Sequence, residues 1–115
     1  MNIESWLATF RDAWINHDIA KVLSLFTENV EYWETPSRLL GSYEELKSEW
    51  QRVVSQSNIR LTTSVYSSIH DKHAVIWNLK YSDAMNEVQT WSGTYLITLN
   101  EDGLCTYFHH VGEKT

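Results

Sequence analysis

The chain has 115 residues, enough for a core of its own, and residues 1–115 are expected to form a single domain. A net charge of −6, from nine Lys and Arg against fifteen Asp and Glu, has the wrong sign for a non-specific binder of nucleic acid or anionic membrane. One cysteine excludes an internal disulfide framework, and six Trp, six Tyr and three Phe demand a bulky core, an aromatic-lined cavity, or both.

The N-terminal stretch MNIESWLATFRD carries Glu4 early and has no continuous apolar segment, so it does not read as a secretory signal. No apolar run reaches membrane-spanning length. With a single thiol besides, the expectation is a cytoplasmic protein. Over residues 3–17, Ile3, Trp6, Leu7, Phe10, Ala13 and Trp14 recur at helical spacing. Asp18 is placed to cap a second, short helix burying Ile19, Val22, Leu23 and Phe26. Residues 29–34 are β-prone and Pro36 ends that run. Gly41-Ser42 opens a third helix, with Ser42 and Glu45 as a capping box and Leu46, Trp50, Val53 and Val54 as its apolar stripe.

From about residue 58 the period becomes two. Strands are predicted over 58–69, 73–82, 88–100 and 104–111, separated by turn-forming residues at 71–72, 83–86 and 100–103. Such short connections imply antiparallel hairpins. Alternation puts Ile59, Leu61, Thr63, Val65, Ile69, Val75, Trp77, Leu79, Tyr81, Trp91, Tyr95, Ile97, Leu99, Cys105, Tyr107, His109 and Val111 on the core side. The opposite face is rich in threonine, but Tyr66, Ile76, Leu96 and Phe108 form an apolar band on it that calls for a partner sheet. A bulge at Gly93 would reverse the register beyond it and exchange His110 for His109.

Three segments carry a family resemblance. They are AWINHDIAKVLSLFTENVEYWETP (13–36), GSYEELKSEWQRV (41–53) and GTYLITLNEDGLC (93–105). In that order they resemble the helix–turn–strand–proline, third-helix and hairpin segments of the nuclear transport factor 2-like superfamily, which includes SnoaL-like polyketide cyclases and ketosteroid isomerases. The resemblance implies an α+β, cystatin-like cone, a curved and mostly antiparallel sheet wrapped on three N-terminal helices. It also implies a pocket at the open end and a homodimer through the outer sheet face. The family's steroid isomerases carry a tyrosine where this chain has Phe10, and an aspartate before the strand-ending proline where it has Thr35, with Glu34 one position earlier. The Asp-Arg-Asp set of the family's epoxide hydrolases has no counterpart on the core-facing positions.

Within such a cone, Glu34 shares a face with Val30 and Tyr32 and is the candidate general base; the other reading is a rim carboxylate paired with Arg38. His109 is the candidate general acid or hydrogen-bond donor, or else a hydrogen-bonded core histidine. Tyr32 and Tyr107 are candidate donors. Trp50, Trp77, Tyr81, Trp91 and Tyr95 would line the pocket around a small, mostly apolar ligand. His17 reads as a helix-end residue, His70 and His73 as a surface turn, and Cys105 as a small buried hydrophobe. No zinc-ligand spacing, phosphate-binding glycine loop or nucleophile elbow is present, so neither metal nor cofactor is expected. The expected function is binding of a cyclic or carbonyl compound, with cofactor-free isomerisation, dehydration or cyclisation as its chemistry. The alternative is a non-catalytic dimerisation or protein-binding module.

Overall fold

The computed structural model describes residues 2–115; Met1, the first residue of the expected domain, lies outside the described residues. Helix α1 spans Ile3–Ile15, and all six residues of its predicted stripe are buried. Asn2 caps it, its side-chain oxygen accepting from the Ser5 N–H at 2.8 Å. His17 closes it in the left-handed region (φ 55°), and its Nε2 donates to the Gln56 carbonyl at 2.7 Å. Helix α2 (Ile19–Leu23) is capped by Asp18, which accepts from the Lys21 N–H at 3.1 Å. Helix α3 (Tyr43–Gln51) runs into a 3₁₀ turn over Arg52–Ser55. Its Ser42 cap accepts from the Glu45 N–H at 3.1 Å, but the Glu45 carboxylate accepts from the Gly41 N–H at 2.9 Å, so the box closes one residue early. Val54, expected in the stripe, is exposed because the 3₁₀ turn rotates it away from the core.

The strands are β1 (Phe26–Thr35), β2 (Arg38–Leu39), β3 (Ser57–Ile69), β4 (Lys72–Ser82), β5 (Val88–Leu99) and β6 (Cys105–Lys114). They form one curved, open sheet in the order β2-β1-β6-β5-β4-β3. The long strands β3 to β6 pair as antiparallel hairpins, and β1 joins β6 in parallel. Phe26, expected at the end of α2, instead opens β1, because the Cys105 N–H donates to the Leu25 carbonyl at 2.8 Å and draws this segment into the sheet. The three helices cover the inner face of the sheet, and the core lies between them. Among the described residues no helix is long and apolar enough to cross a membrane.

Gly93 is not a bulge. It pairs in unbroken register with Trp77 on one side and Gly112 on the other, so the inward phase of Trp91, Tyr95, Ile97 and Leu99 holds. A shift at Tyr66 in β3 leaves Ile69, expected inward, 68% exposed. The irregularity beyond Gly93 lies in β6. Leu99 faces Cys105 and Thr98 faces Tyr107, leaving Thr106 as the extra residue. One extra residue exchanges the faces of everything after it. Cys105 still points inward, but Phe108 and His110 now follow it, and Tyr107 and His109 turn to the outer face. The expected placement of Tyr107, His109 and Phe108 is therefore corrected. Phe108 is 1% exposed and leaves the outer apolar band. Val111, expected inward, is partly exposed. Burying a phenylalanine in full contributes roughly 1.5–3 kcal/mol. The bulged register gains that for Phe108 and leaves outside the tyrosine, whose hydroxyl would need a partner within.

Candidate functional site

The inner sheet face and the helices enclose a ring-lined pocket of about 120 Å³ at the open end of the cone. Phe10 and Trp14 reach it from α1, Trp50 from α3, and Tyr32, Tyr95 and Phe108 from the sheet. Phe10 packs against Trp6, Trp14, Phe26, Trp50, Tyr95 and Phe108 at centroid distances from 5.1 to 6.5 Å. Tyr32 stacks on Phe108 at 4.8 Å. Outward, the pocket meets a cleft of about 740 Å³ that shares Trp14, Glu34, Glu49, Val53 and His110 and continues over Trp77, Tyr81 and Trp91.

Three polar groups stand where pocket and cleft meet. Glu34 projects from β1 on the same face as Tyr32, as its period predicts. Glu49 comes from α3. Arg38 bridges them, its Nη1 lying 2.8 Å from Glu49 Oε1 and 3.6 Å from Glu34 Oε2, while its Nη2 reaches Glu45 at 3.2 Å. Arg52 takes the second Glu49 oxygen at 3.3 Å. The third group is His110, whose Nδ1 lies 2.7 Å from the Glu34 carbonyl oxygen. A carbonyl only accepts, so Nδ1 carries the proton. The imidazole stacks on Trp77 at 5.2 Å with 19° between the planes.

Burial pushes the phenols of Tyr32 and Tyr95 well above the usual tyrosine range; the Trp50 indole acts in the opposite direction on Tyr32 without cancelling the effect. Both remain neutral hydrogen-bond donors at any ordinary pH. Burial also pushes the Cys105 thiol up to about 12. These groups ionise more easily unfolded than folded, so the stability they lend is complete below the unfolded pKa and drains away as pH rises. For the thiol the window runs from 9.0 to about 12. Thermal melts should show Tm falling steadily above pH 9, with a smaller fall in Cys105→Ala. A flat Tm through pH 11 would contradict this account.

Of the candidates read from sequence, Glu34, Tyr32, Trp50 and Tyr95 meet at the inner pocket, and Trp77, Tyr81 and Trp91 line the outer cleft. His109 and Tyr107 do not join them. On the outer face their rings lie parallel, 6.3 Å apart, and Trp33 flanks His109 at 6.2 Å. Glu49 was not anticipated. Its place three residues after Leu46 and four before Val53 puts it on the buried stripe of the helical segment, and that spacing was the available signal.

A profile of the SnoaL-like domain matches residues 7–108. The chain belongs to the SnoaL-like domain family. Solved structures agree on the fold of this SnoaL-like chain. A nuclear transport factor 2-like protein of unknown function from Exiguobacterium sp. 255-15 superposes with a TM-score of 0.78 at 19% identity, covering 96% of this chain and 99% of its own. The Δ5-3-ketosteroid isomerase from Mycobacterium sp. gives 0.79 at 15% identity, covering 98% of each chain. A Mycobacterium tuberculosis protein solved in complex with estradiol-17β-hemisuccinate gives 0.77 at 16% identity, covering 92% of this chain and 89% of its own. No curated protein sequence matches the chain. At these identities the likeness of the structures is one of fold.

Proposed function

We propose that this SnoaL-like chain, as a single domain, binds a small, planar, mostly apolar cyclic ketone or related carbonyl compound in the aromatic pocket. We propose further that it moves a proton there without a cofactor, in an isomerisation, dehydration or cyclisation. The observation that carries this reading is the meeting of two neutral buried phenols with an unconsumed imidazole nitrogen and a carboxylate at one ring-lined cavity. Rings supply apolar contact, and a phenol aimed at a carbonyl oxygen both orients a ketone and stabilises its enolate. The isomerase and the steroid-bound neighbour lend support by fold analogy. Tyr32 is the proposed donor to the carbonyl oxygen, and Glu34 closes the pocket mouth from β1.

Titration with 2-tetralone, followed by tryptophan fluorescence, tests binding. Saturable quenching is expected, since Trp14 and Trp50 lie in the wall. Tyr32→Phe should weaken it about 3- to 10-fold, the worth of one hydrogen bond. An unquenched signal up to millimolar ketone would sink the reading. The exposed Tyr66, Ile76 and Leu96 favour a homodimer through the outer face as well, without Phe108. Light scattering on the same samples reads it, and a strict monomer at high concentration would contradict it.

A further inference from the structure

We propose that His110, rather than either carboxylate at the mouth, is the group that takes and returns the proton, a role that rests on the pocket reading above. The two carboxylates are both engaged. Glu49 is held by Arg38 at 2.8 Å and Arg52 at 3.3 Å, and Glu34 faces the same Arg38 Nη1 at 3.6 Å. Guanidinium N–H groups face the oxygens that a base would have to offer, so neither carboxylate is free to turn toward a substrate without giving up that contact. His110 is arranged the other way. Its Nδ1–H is committed to the Glu34 carbonyl, which leaves the lone pair on Nε2. Among the described residues Nε2 makes no hydrogen bond, and it is not one of the buried unpartnered atoms, so it is accessible where His110 lines the junction of pocket and cleft, on the side of Gly112.

Two neighbours keep it there. Trp77 and Tyr95 pack their rings against the imidazole at 5.2 and 5.9 Å and restrict its rotation. Gly112 leaves space beside Nε2, where a methyl group would come to 3.4 Å from that nitrogen and 2.6 Å from the Trp77 ring. An oriented imidazole with a fixed tautomer and one open nitrogen is the form suited to general base work.

The step balances with the substrate alone. Nε2 accepts the proton from the carbon next to the carbonyl, and the C–H electron pair moves into the enolate, whose oxygen receives the Tyr32 hydrogen bond. The imidazolium keeps its Nδ1–H bond to the Glu34 carbonyl. Nε2–H then returns the proton to the same carbon or to a conjugated one, and no oxidant or second reactant is consumed.

The test follows hydrogen–deuterium exchange at the α-carbon of 2-tetralone in D₂O, with fluorescence quenching measured in parallel. The wild-type chain should accelerate exchange over buffer. His110→Gln should lose about 100-fold or more of that acceleration, the usual share of a positioned base. His109→Gln, on the outer face, should retain it. Acceleration that survives His110→Gln would overturn the role of His110 and leave the proposed function intact, whereas quenching without acceleration would overturn that role together with proton transfer and leave only ligand binding. Absence of quenching would overturn all three. Nitrogen-15 spectra of the wild-type imidazoles give a second reading that needs neither ligand nor variant. They should show the neutral form of His110 protonated at Nδ1 and bare at Nε2, and the reverse tautomer would overturn the proposal.

Discussion

Gly93→Ala should destabilise the fold by about 3 kcal/mol or more and lower Tm by roughly 10 °C or more. A methyl group at this position would lie 1.9 Å from the Val111 carbonyl oxygen, 2.7 Å from Gly112 Cα and 2.8 Å from the Val111 carbonyl carbon. All three are backbone atoms of β6, so no side chain can rotate to make room. The only relief is to part β5 from β6 where Gly93 faces Gly112, which breaks ladder hydrogen bonds in the middle of the sheet. It would also shift the strand that carries His110 and Phe108. Gly41→Ala is the control, because its methyl group would meet only the end of the flexible Glu45 side chain at 3.4 Å. Thermal and urea melts of the two variants decide the matter. A Gly93→Ala protein that melts within about 2 °C of the parent would show that the strands can part without cost.

Phe10→Ala should cost about 3–5 kcal/mol, against a total stability typically of 5–15 kcal/mol. Phe10 is fully buried at the centre of six aromatic neighbours, and rings standing in edge-to-face contact cannot collapse easily into the space it leaves. Phe10 also lines the inner pocket, so the same change enlarges the space open to a ligand. The expected result is a protein much less stable in urea, part of whose loss returns on adding an aromatic ketone that fills the cavity. Met85→Ala, at a residue 81% exposed in the turn between β4 and β5, should change stability by less than about 0.5 kcal/mol. Equal losses for the two variants would mean that the ring cluster is not the source of the stability.

Much of the fold is legible in the residues themselves. The α1 stripe needs only helical periodicity, and all six of its residues are buried. The alternation through β3 from Leu61 to Val65, and through β4 and β5, places Leu61, Val75, Trp77, Tyr95 and Ile97 inside, because the pairing keeps its phase over those stretches. Tyr32 and Glu34 follow from the same rule on β1. The asparagine and glycine turns are equally local, with Asn86 and Gly103 both in the left-handed region that such residues tolerate.

The last strand could not be read this way. Side-chain direction in a strand depends on parity, and parity is reversed by a single extra residue. Thr106 has no feature that marks a bulge, whereas Gly93 does and is regular. What selects the register is long-range. Phe108 packs against Trp6, Phe10, Phe26, Tyr32 and Tyr95, and these neighbours come from α1, β1 and β5. Arg38 likewise links carboxylates fifteen residues apart in the chain, and no local pattern announces that junction.

Periodicity alone thus determined the helix stripe, the inward rings of β4 and β5 and the acidic residue on the first strand, because each depends on near neighbours in the chain; the cone was what the family resemblance implied. Which histidine enters the cavity was decided by tertiary structure. His109 and His110 are adjacent and chemically identical, so only the packing of Phe108 beneath the helices could choose between them.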